Sequence, residues 1–131
     1  MKTVPVLQLS EANREAMKRH FLALEAEDLR LRFEHVICEA TLLKYVDAID
    51  FGRDAVFGVF DDTLELAGVA HLGLHGEIAE FGVSVVPGHR GEGIGTALYR
   101  RAYEYCRNHR IETLFVHCLK ENAAMMHIVR K

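Results

Sequence analysis

The sequence predicts an α/β domain, α+β in detail, in which helices flank a central sheet in the order β α α β β β α β α. Two observations carry that prediction. Apolar segments over 54–60, 63–74 and 77–86 follow one another through turns too short for a crossover, so they must be antiparallel neighbours. The last of them runs through a glycine-rich stretch, Arg90-Gly91-Glu92-Gly93-Ile94-Gly95, into a strongly patterned helix.

Each element has its own signal. Residues 4–9 read as a short strand, which Pro5 confines to a sheet edge because it brings no N–H to a ladder. Ser10 caps a helix to about Leu24, with Ala16, Met17, Phe21 and Leu24 on its inner face. Residues 27–33 read as a charged junction, and a second helix covers roughly 39–50, where Leu42, Leu43, Val46 and Ile49 recur at helical spacing. Asp61-Asp62 and His75-Gly76 turn the chain between the three strands, and Pro87-Gly88 ends the third. Beyond the glycines, Ile94, Ala97, Leu98, Ala102, Tyr105 and Cys106 form one buried stripe, while Arg107, His109 and Arg110 suit a helix C-terminus. A strand over 111–118 and a helix from near Glu121 follow.

At 131 residues the chain forms one domain, and its 50% hydrophobic content is that of a globular protein. A formal charge of -3 argues against a nucleic-acid partner, which needs a clustered basic face. Cys38, Cys106 and Cys118 have no metal-ligand spacing and read as buried thiols in a reducing cytoplasm. No leader pattern opens the chain and no apolar run approaches a membrane span, so we expect a cytoplasmic protein with no membrane partner.

The glycine stretch is the candidate for chemistry. Where a strand feeds a glycine loop and then a helix, successive main-chain N–H groups converge with the positive end of the helix dipole to make an anion pocket. A dinucleotide fingerprint would need glycine where Thr96 stands, and a Walker loop would need Gly-Lys before Ser or Thr, which is absent. A plain tight turn is the alternative, but it needs fewer glycines than the three at 91, 93 and 95.

Residues 83–98, Val-Ser-Val-Val-Pro-Gly-His-Arg-Gly-Glu-Gly-Ile-Gly-Thr-Ala-Leu, resemble the strand-to-helix junction of the GNAT superfamily of N-acetyltransferases. Arg90, Gly93 and Gly95 fill the places of that family's pyrophosphate-loop pattern. The resemblance implies the GNAT-like mixed, mostly antiparallel sheet, acetyl-CoA as cosubstrate, no metal, and attack of an amine on the thioester without a covalent enzyme intermediate. It further implies that the amides of Arg90, Gly91, Glu92, Gly93, Ile94, Gly95 and Thr96 hold the pyrophosphate. Val83, Ser84 and Val85 would pair with the pantetheine arm as another strand does, and Asn122 would hydrogen-bond that arm.

The base is Glu80, which shares a strand face with Gly82 and Ser84 where small residues leave room. A half-exposed residue with a structural partner is the competing reading. The tyrosine that many family members use as general acid is replaced by Val129, leaving His117, His127 or an unassisted thiolate. That substitution motivates a second function, a non-catalytic acyl-CoA-binding or regulatory module. The family usually continues into further strands beyond Lys131, so we expect either an omitted C-terminal piece or a homodimer covering the strand at 111–118. The substrate is a small-molecule or protein amine. His71 and His75, near the strand turn, could line the amine site, but the first reading of each is a surface residue.

Overall fold

The computed structural model describes residues 3–116 and 123–129. Strands β1 (Leu7–Gln8), β2 (Ala55–Phe60), β3 (Leu66–His75), β4 (Ile78–Val85) and β5 (Thr113–Val116) form one sheet in that spatial order. Pairs β1 to β4 are antiparallel and β4–β5 is parallel, so the sheet is mixed and mostly antiparallel as expected. Helices α1 (Arg14–Leu22), α2 (Ala26–Phe33) and α3 (Glu39–Asp47) precede β2; α4 (Ile94–Asn108) joins β4 to β5, and α5 (Ala123–Val129) follows.

Two apolar layers hold the sheet. Phe57, Ala70, Leu72 and Phe81 pack on one face against Leu98, Ala102 and Cys106 of α4. On the other face Val56 and Val69 pack against Met17, Phe21, Leu42 and Val46 of α1 and α3. Strand alternation divides β4 between the layers: Phe81, Val83 and Val85 face α4, whereas Glu80, Gly82 and Ser84 face α1 to α3.

Three expectations need correction. The charged junction is a helix, α2, because Glu25 caps it through a capping box in which Asp28 accepts the Glu25 N–H at 3.0 Å. An Arg30–Glu27 ion pair at 2.7 Å adds to it, so local polar bonds make a helix that apolar spacing does not announce. Cys38 is not a buried thiol: it is exposed ahead of α3, while Cys106 is buried as expected and Cys118 lies outside the described residues. His71 is not a surface residue, since its side chain is only 15% exposed. Among the described residues no helix is long and apolar enough to cross a membrane.

Candidate active site

The register of β4 determines which of its main-chain groups are available. Val86 N–H donates to Ala67 O at 2.9 Å, and stepping back by two along the ladder directs the main chains of Ser84 and Gly82 toward β3 as well. Phe81, Val83 and Val85 therefore turn their N–H and C=O groups the other way, toward the β5 side. The β4–β5 pairing reaches Phe81↔Val116, so among the described residues Val83 and Val85 have no strand partner on that side. A splayed edge of this kind accepts an extended ligand as it would another strand.

The glycine loop continues from that edge. A 3-10 turn over Pro87–His89 brings the chain to Gly91 and Gly93, whose φ values of 77° and 80° lie in the left-handed region. Gly93 is the N-cap of α4, and the first intrahelical bond is Ala97 N–H to Gly93 O at 3.0 Å. The N–H groups of Gly93, Ile94, Gly95 and Thr96 consequently have no acceptor among the described residues, and the helix dipole adds to them. Gly95 lies inside the helix and is small for a different reason: a Cβ there would sit 3.0 Å from Ile128 Cδ1 of α5. Glu92 turns its carboxylate to His89 Nδ1 at 3.2 Å.

Edge and loop line one cleft of ≈ 550 Å³, closed on its other walls by Leu31 and Arg32 of α2 and by Met125, His127 and Ile128 of α5. Arg90 pairs with Asp28 of α2, and its Nη2 lies 3.5 Å from Val85 O, so this guanidinium ties the loop to the wall. A second, more open hollow of ≈ 760 Å³ beside α4 shares Gly93 and Thr96 but does not reach Val83 or Val85.

The predicted residues do not all lie together. Val83, Val85, Arg90, Gly91, Gly93, Ile94, Gly95 and Thr96 surround the one cleft. Ser84 lines it too, but its hydroxyl is directed at His20, with Nε2 at 2.8 Å. Glu80 is exposed on the α1–α3 face, opposite Gly73 of β3 and Phe115 of β5. Asn122 and His117 lie outside the described residues, and His75 and His127 are exposed.

Sequence reading missed a chain of polar contacts on the α1–α3 face. Arg32 Nη2 donates to the Tyr45 hydroxyl at 3.0 Å, which donates to His71 Nδ1 at 2.6 Å, whose Nε2–H donates to Asp54 at 2.9 Å. Burial opposes the charged form of Asp54, but bonds from Arg53, Leu74 N–H and His71 outweigh it and hold the carboxyl at about 2. Burial lowers His71 and raises Tyr45, so the middle of the chain is neutral and its ends are charged. These four residues come from α2, α3, β3 and the turn before β2, with no spacing that could have grouped them.

A model of the Acetyltransferase (GNAT) family matches residues 14–131. Fold and family together define the class, an acyl-CoA-dependent acetyltransferase, and the chain belongs to the GNAT family. Its fold is similar to that of the GNAT domain of S. lividans PAT, at TM-score 0.82 and 16% identity over 98% of this chain and 80% of that one. Ribosomal-protein-S18-alanine N-acetyltransferase from Escherichia coli aligns with TM-score 0.72 and 16% identity over 98% and 75%. A phosphinothricin acetyltransferase from Sinorhizobium meliloti, solved with AcCoA, aligns with 0.76 and 15% over 98% and 73%. No curated protein matches the chain by sequence.

Proposed function

We propose that the enzyme transfers an acetyl group from acetyl-CoA to a primary amine by direct attack. The observation that carries the reading is the continuity, along one cleft, of main-chain groups that have no strand or helix partner among the described residues, from Val83 and Val85 through Gly93 to Thr96. The loop amides hold the pyrophosphate through charge-assisted bonds, Arg90 keeps the loop against α2, and the pantetheine arm lies along Val83 and Val85 with Asn122 as a further donor. An N–H of the splayed edge stabilises the oxyanion as the carbonyl becomes tetrahedral.

Glu80 is the base on the α1–α3 side of β4, directly or through a water. The ammonium gives one proton to the carboxylate, the free nitrogen forms the C–N bond, the C–S bond breaks, and CoA leaves as thiolate. The second proton on the attacking nitrogen passes to solvent or to the departed thiolate, leaving a neutral amide. No side chain is required as acid, because a thiol of ordinary acidity, pKa about 8.5, leaves readily as its anion.

Calorimetry with acetyl-CoA, followed by thiol release with an amine panel, tests the reading. Binding together with amine-dependent release supports it. Acetyl-CoA binding that no amine converts to thiol release would contradict the transfer step.

A further inference from the structure

We infer that the amine acetylated at this site carries a carboxylate, which Arg32 binds at the acyl end of the cleft. The inference rests on acetyl-CoA occupying the cleft as proposed above. Arg32 lies directly against β4: a Cβ on Gly82 would come within 2.3 Å of its Cζ, so the absent side chain is the space that the guanidinium fills. Gly82 is three strand residues, about 10 Å, from Val85 and the start of the glycine loop. That separation places Arg32 at the reacting end of an arm anchored on the loop, not at its phosphates.

The guanidinium is held in place but not neutralised. Its plane is flanked by the Phe33 ring at 4.5 Å and the Tyr45 ring at 5.7 Å, and the Tyr45–His71–Asp54 chain fixes the one nitrogen that is used. Nε is buried without a hydrogen-bond partner, and Nη1 makes no hydrogen bond with the described residues. No carboxylate among the described residues pairs with it. The nearby Asp28 is bound to Arg90, and Asp54 is reached only through Tyr45 and His71. The positive charge acts on its neighbours, lowering both His20 and His71 alongside their burial.

Leaving such a group unmatched is costly unless a ligand completes it, and a planar fork of donors matches a carboxylate. Glu80 projects from the same face of β4 two residues before Gly82, about 7 Å along the strand. An anion reader beside an ammonium acceptor is a site for a zwitterion, such as an amino acid, rather than for a lysine side chain or a polyamine.

The test uses the intact protein, acetyl-CoA and matched amines: amino acids against their carboxamides, and ω-amino acids against alkylamines of equal length, in buffer free of carboxylates. We expect carboxylate members to be turned over with kcat/KM at least about tenfold above their neutral partners. Arg32→Lys, which keeps the charge but loses the fork, should raise the KM of the acid about tenfold more than it raises that of its neutral partner. Neutral amines turned over as well as acids would overturn the inference, as would acetyl-CoA binding with no carboxylate amine accepted. An equal loss for both members of a pair in Arg32→Lys would reduce Arg32 to a structural role. The comparison on the unmodified protein decides even if the variant folds poorly, and failure to bind acetyl-CoA at all would instead sink the cofactor reading.

Discussion

His20 and Ser84 are joined across the α1–β4 contact, with Nε2 2.8 Å from the hydroxyl oxygen. His20 Nδ1 lies 2.8 Å from Leu66 O, and a carbonyl can only accept, so Nδ1 carries the proton and Nε2 accepts from Ser84. Burial keeps the ring neutral near pH 7, which is why Nε2 accepts from Ser84 rather than donating to it, and Ser84 is turned away from the open edge of β4.

Acid should loosen the fold at this contact. Burial lowers His20 to about 4, against a bond to Leu66 O that favours the charged ring. The unfolded chain then binds the extra proton between about 6.5 and about 4, so stability is full above that window and falls as pH drops through it, by on the order of 3 kcal/mol. Chemical denaturation across that range should show the decline, and His20→Phe should flatten its slope. An unchanged slope would contradict the assignment.

Ser84→Ala separates support from binding. Removing the hydroxyl leaves a buried imidazole nitrogen unsatisfied, and we expect a loss of about 1–2 kcal/mol in denaturant unfolding. Acetyl-CoA affinity should stay within about twofold, because the edge groups belong to Val83 and Val85. A large affinity loss in a folded variant would mean that Ser84 faces the ligand.

Gly93→Ala tests the loop. Nothing lies within 4 Å of a Cβ there, so the ligand, not the protein, is what the methyl would meet, and the φ of 80° resists any side chain. Calorimetry should show acetyl-CoA affinity reduced about tenfold or more. Gly88→Ala, at an equally open site without positive φ, is the control and should bind normally.

Glu80→Gln should leave acetyl-CoA affinity intact and reduce kcat by about 10²–10⁴, with partial recovery at high pH where more of the amine is already neutral. Steady-state kinetics across pH would check both. Full activity at neutral pH would remove Glu80 from the mechanism.

What the sequence disclosed follows from how local each signal is. The β2–β3–β4 meander and the loop before α4 are written in short-range turns, glycines and periodicity, so they could be read directly. Helix α2 was hidden because its start is held by Glu25 and Asp28 rather than announced by an apolar stripe. Arg32, Tyr45, His71 and Asp54 were hidden for a deeper reason: only the packing of α2 and α3 on β3 brings them together, and each alone looks like an ordinary surface or core residue. Its place in a motif groups Ser84 with Val83 and Val85, whereas only the strand register shows that its main chain faces β3 and its hydroxyl faces His20.

Hydrogen exchange of individual main-chain amides, with and without acetyl-CoA, decides whether the splayed edge and the glycine loop hold the cofactor. We expect new protection at Val83, Val85 and Gly93 to Thr96, with Ser84 already protected before ligand is added. Saturating acetyl-CoA that leaves those amides exchanging as they do in the free protein would contradict that placement.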